Sequence, residues 1–89
     1  MSKPLQLRAE AFLARPVPGG ISYVKNSIAE RIISVYAQKG SLGSDPELAE
    51  LLELCLMETA SAIEDHAGDA SAYFKESAGI LESIQAELA

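Results

Sequence analysis

Histidine and cysteine carry much of the proton-transfer and nucleophilic chemistry of proteins, and this 89-residue sequence holds one of each. His66 stands in EDHAGD, at the expected C-terminal end of a helix, where an imidazole suits the helix dipole and needs no catalytic role. A pH-sensing charge is the one functional reading open to it. Cys55 falls at the centre of an apolar helical arc, so it reads as a small buried hydrophobe without the cationic neighbour that a reactive thiolate needs. The two are eleven residues apart on one helix, about 16 Å along its axis, too far for a Cys–His pair.

The remaining candidates for chemistry are carboxylates. Helical bundles hold metal pairs through inward glutamates and a Glu-x-x-His motif, but that motif is absent here. Glu47, Glu50, Glu53 and Glu58 also project away from the apolar arc of their helix, so no metal or other cofactor is expected. GSLGSDPEL lacks the Asp-Ser-Leu signature of a carrier protein, and His66 lies at a helix end, unlike the mid-helix histidine of a phosphotransfer domain. GSLGSD has no lysine and follows a helix, so it is no phosphate-binding loop. No catalytic residues emerge, and the chain is not expected to be an enzyme.

The elements that would position these side chains are helices. Breaks at PVPGG (16–20), GSLGSDP (40–46) and DHAGD (65–69) divide the chain into four segments. In the first, Leu5, Ala9, Phe12 and Leu13 make one stripe behind a first-turn Pro4. The second, from Ile21, aligns Ile21, Val24, Ile28, Ile32 and Val35, with Lys25, Ala29 and Tyr36 beside them, and Gly40 is its expected stop. The third opens on SDPE, with Ser44 as its expected cap, and gathers Leu48, Leu51, Leu52, Cys55, Leu56, Thr59, Ala62 and Ile63 on one side. In the fourth, capped by Asp69, the stripe is Tyr73, Phe74, Ser77, Ile80, Leu81, Ile84 and Leu88. The expected fold is all-α, a small antiparallel helical bundle in one domain. Residues 21–89 supply a three-helix body, and residues 1–20 a short helix and Pro/Gly hinge that packs across it or swaps onto a neighbour.

Composition narrows the class. The chain is 48% apolar with five aromatic residues and no tryptophan, enough for an aliphatic core. No segment approaches a membrane span or a secretory leader, and the lone cysteine fits a reducing compartment, so a cytoplasmic location is expected. Charge is divided: residues 1–40 carry six basic and two acidic side chains, a net +4, whereas residues 41–89 carry one basic and eleven acidic, a net −10. Such a second half repels phosphate backbones, which argues against direct nucleic-acid binding and for a basic protein partner.

Two features fit no single-chain role. Leu54 and Met57 interrupt the acidic arc of the third helix among Glu50, Glu53 and Glu58, an apolar anchor within a charged rim. On the back of the fourth helix, Ala72, Gly79 and Ala86 recur every seven residues with Ser83 beside them, a small-residue face that would let another helix approach. These faces suggest a homo-oligomer, most simply a dimer, and a bacterial or phage-type regulator that inhibits or adapts a basic partner. The alternatives are a homodimeric chaperone or assembly factor for an amphipathic helix, and a small-anion or nucleotide binder using Tyr23, Lys25, Arg31 and Tyr36 at a subunit interface.

Overall fold

The computed structural model describes residues 3–15, 28–65 and 67–88. Four helices run through them: α1 (Pro4–Ala14), α2 (Ile28–Lys39), α3 (Pro46–Asp65) and α4 (Gly68–Leu88). The expected helical bundle is what forms, and no described residue is in a strand. The part of the second segment before residue 28, with Ile21, Tyr23, Val24 and Lys25, lies outside the described residues, as does His66.

Contacts at the helix ends fix the topology. Lys3 and Gln6 of α1 reach the end of α2 at Gly40 and Ala37, and Arg8 reaches Glu76 while Lys3 reaches Glu87. α1 is therefore antiparallel to both α2 and α4. The hydroxyl of Ser71 donates to the carbonyl of Ile63 across the α3–α4 turn at 3.4 Å, filling one of the acceptors left open at the end of α3. The helices thus run up, down, up, down. α2 and α4 touch across the diagonal, whereas α1 and α3 do not meet.

The core is aliphatic with an aromatic corner. Ile32, Ile33 and Tyr36 of α2 meet Leu52 and Cys55 of α3 and Ile80, Leu81 and Ile84 of α4 in one cluster, and Ala9 and Phe12 bring α1 into it. Phe12 lies 4.8 Å from Tyr73, ring to ring, and Tyr73 meets Phe74 edge-on at 6.0 Å. Such pairs add to the gain from burial alone. Ile33 and Ala37 lie outside the stripe expected of α2, yet both are buried. Three helices surround α2, so its buried arc is wider than one stripe.

The punctuation between helices has its own structure. Gly40 takes a left-handed φ of 72° and its N–H donates to the carbonyl of Tyr36 at 2.7 Å, ending α2 at the expected residue. Leu42 then turns inward and is almost wholly buried. α3 begins at Pro46, which places Asp45 and not Ser44 at the residue before the helix; the Asp45 carbonyl accepts from the N–H groups of Leu48 and Ala49. The Asp45 carboxylate instead receives Lys39 at 3.0 Å and the Ser44 hydroxyl at 3.2 Å. α4 begins at Gly68, so Asp69 sits inside its first turn.

Candidate functional site

α1 is a polar brace as well as an apolar one. The Gln6 amide donates to the carbonyl of Ala37 at 2.8 Å, and the Lys3 ammonium to that of Gly40 at 2.9 Å, so two acceptors near the end of α2 are met by a neighbouring helix. Lys3 also pairs with Glu87 at 3.3 Å, and Glu87 accepts the Tyr36 hydroxyl at 2.7 Å. One carboxylate thereby joins three helices. Its hydrogen bond from Tyr36 holds the Glu87 pKa below the usual carboxylate range, while burial and then Glu87 itself push the Tyr36 phenol up to about 12.

The second clamp is Arg8 on Glu76, with Nε 2.8 Å from Oε1 and Nη2 3.3 Å from Oε2. The guanidinium hydrogen bond lowers the Glu76 pKa. Glu76 and Glu87 are thus depressed in the folded state, and their contribution is full above the ordinary unfolded value near 4.3 and lost as pH falls through the folded value. Tyr36 behaves oppositely: its contribution is full below about 10 and disappears as pH rises through about 12. Between pH 6 and 3 the urea midpoint of Glu76→Gln is expected to fall less than that of the native chain. The gap between them at neutral pH is the scale of a partly exposed pair, at most about 1 kcal/mol. Parallel curves for the two proteins would show that the Arg8 pair adds nothing to stability.

The small-residue face of α4 meets α1 in part. A Cβ added at Gly79 would lie 2.7 Å from Nη2 of Arg8, so the guanidinium of the same chain already covers this residue. The Ser83 hydroxyl donates to the Gly79 carbonyl at 2.9 Å. Ala72 and Ala86 are exposed. The four residues therefore do not form one open strip. Gly79→Ala gains about 1 kcal/mol of helix propensity and displaces the tip of an exposed pair worth about 0.2–1 kcal/mol, so the melting temperature should hold or rise slightly. A drop of many degrees in a thermal melt would mean that Arg8 packing on this glycine outweighs both.

On α3 the outer face is open. Met57 is 64% exposed and Leu54 45%. At 100° per residue, Glu50, Leu54, Met57 and Ser61 lie within an arc of about 60° on the side away from the core. Glu53 and Glu58 flank the apolar pair. Among the described residues no ion pair forms at Glu50, Glu53 or Glu58; the pairs present are Arg8–Glu76, Lys3–Glu87 and Lys39–Asp45. The cationic side chains near the bundle's surface thus leave this face strongly negative.

The apolar period of α4 assigns Leu88 to its core stripe, but Leu88 is 42% exposed. With Gln85 it borders a furrow of about 510 Å³ whose opposite wall is Ala49, Glu50, Leu52 and Glu53 of α3. The period of α4 is regular to its end, where the last turn lies beside the first turns of α3. The anion-binding set fares differently. Tyr36 is buried with its hydroxyl on Glu87, and Arg31 is exposed beside a cleft shared with Asp45 and Glu47, so the structure does not bring these two together; Tyr23 and Lys25 lie outside the described residues.

Cys55 is buried, and burial, reinforced by the charge of Glu58, pushes its thiol pKa up, which suits packing more than reactivity. Thr59, one turn on, returns its hydroxyl to the Cys55 carbonyl at 2.7 Å. Among the described residues no three His, Cys, Asp or Glu side chains converge as metal ligands, and no helix is long and apolar enough to cross a membrane. Compared with protein-family models, with curated proteins and with solved structures, the chain matches none.

Proposed function

We propose that this protein acts by binding, capturing a basic surface of another protein on the outer face of α3 and so inhibiting or adapting it. The observation that carries the reading is the exposure of Leu54 and Met57 inside a rim of carboxylates that have no cation of their own among the described residues. A buried apolar anchor with a charged rim is how tight, selective protein contacts are built. The carboxylates speed and orient encounter; the two side chains hold the complex. A cytoplasmic setting, and a bacterial or phage-type regulator, belong to the same proposal.

Self-association is the competing proposal. A two-fold pairing through α3 would set Glu50, Glu53 and Glu58 of two copies against each other, so it should strengthen as salt rises. Capture of a basic partner should weaken. The test is affinity capture from the source cell extract at low salt and at about 0.5 M salt, where screening reaches a few ångströms, with the mass of the free protein measured by sedimentation beside it. Glu50→Lys, Glu53→Lys and Glu58→Lys together should slow association with the recovered partner at least about tenfold at low salt. Unchanged on-rates, or retention that grows with salt, would remove the basic-partner reading.

A further inference from the structure

The furrow between α3 and α4 borders the outer face of α3 on the Met57 side. Glu50 and Glu53 belong to both: they flank the exposed pair on α3 and form one wall of the furrow, with Leu88 and Gln85 opposite. The result is a strip in which apolar side chains alternate with carboxylates across two neighbouring helices. Along α3 it runs at least from Glu50 to Met57, about 10 Å or two turns.

That pattern is specific about what fits it. No described residue is in a strand, so the described residues offer no sheet edge for an extended peptide to join, and a trough between two helices is the shape into which a third helix packs. Two turns on the receiving side match apolar residues at i, i+3 or i+4, and i+7 on the incoming one. Its flanks would need to be cationic to meet Glu50, Glu53 and Glu58. The basic helix α1 of a second copy is already engaged in its own bundle, with Ala9 and Phe12 buried in the core and Lys3 and Arg8 on Glu87 and Glu76, so it would have to undock to fill the furrow.

We infer that the α3–α4 furrow receives a cationic amphipathic helix of the partner protein, with its aliphatic residues against Leu88 and Met57 and its lysines or arginines on Glu50 and Glu53. The inference rests on the binding reading above and deepens it by naming the element that is bound. The furrow's volume of about 510 Å³ accommodates more than one aliphatic side chain. Charge alone would draw any basic segment, so the helical register is what distinguishes the proposal.

The test uses the full chain and two synthetic peptides of about 18 residues, long enough to form a helix on contact. Both contain leucine, lysine and alanine in the same amounts; one is amphipathic at helical spacing and the other is scrambled. Titration followed by backbone amide shifts should show the amphipathic peptide binding at least about tenfold tighter, with the largest shifts at 49–57 and 85–88. Glu50→Gln with Glu53→Gln should weaken it about tenfold or more. Glu64→Gln with Asp65→Asn, which removes the same charge about 21 Å further along α3, should change it less than about threefold. Equal affinity for the scrambled peptide, or shifts centred elsewhere, overturns the inference. If the peptide fails while Leu54- and Met57-dependent capture of a protein persists, the helix is wrong and the binding face stands; if both fail, both fall.

Discussion

Replacing Leu54 and Met57 together by glutamate is expected to weaken the captured partner about 10³-fold, since central anchors are each worth about 2 kcal/mol or more and every 1.4 kcal/mol is tenfold. The choice of glutamate separates the two roles proposed for this face. Added negative charge should keep or raise the on-rate toward a basic partner, so the loss must appear as faster dissociation. Both side chains are exposed on the outer face of α3, so the melting temperature should stay close to that of the native chain. Surface plasmon resonance and a thermal melt together decide the matter. Unaltered dissociation would mean that the exposed pair is incidental and that contact is purely electrostatic; a large fall in stability would mean that these residues pack against something within the chain.

The largest expected effect on stability comes from the opposite side of the molecule. Phe12→Ala removes a ring that is 4% exposed and packed on Tyr73, a change that costs about 3–5 kcal/mol in well-filled cores. A domain of 89 residues has only about 4–13 kcal/mol in total. The melting temperature should fall by about 15–30 °C. α1 is short, so without Phe12 its polar clamps alone must hold it, and an isolated helix of 11 residues is marginal in water. A fall of only a few degrees would show that α1 contributes little to the folded state.

Helix placement was legible in the sequence because each segment repeats its apolar residues at helical spacing and stops at glycine or proline. The buried stripe of α4 from Tyr73 to Ile84 follows that period, and so do Leu48, Leu52, Cys55 and Thr59 of α3. What escaped was set by neighbours distant in the chain. The burial of Ile33 and Ala37 needs a third helix against α2, and the exposed Leu88 lies beside the first turns of α3. Leu42 looked like part of a polar link, yet its side chain closes one end of the core.

The candidate site shows the same division. Leu54 and Met57 stood out because they break the polarity of an otherwise acidic arc, a local signal that needs no partner to detect. The small residues of α4 carried no such certainty: Gly79 invites a close approach, and the visitor is Arg8, 71 positions earlier in the same chain. Nor does any local pattern reveal that Lys3 and Gln6 complete the end of α2, because bonds from a side chain to a distant carbonyl leave no periodicity behind.

Because α1 and α3 do not meet, a ligand held by Leu54 and Met57 alone has no direct means of tightening or loosening the N-terminal brace, whereas one that also covers Leu88 lies beside Glu87, which holds Lys3. Saturating the outer face of α3 with partner should raise the free energy of global unfolding, yet amides of α1 that exchange by local undocking should keep their rate unless the furrow beside Glu87 is filled as well. The protein would then hold another molecule on one flank while its first helix continues to open and close on the other, with the last turn of α4 as the place where the two can meet.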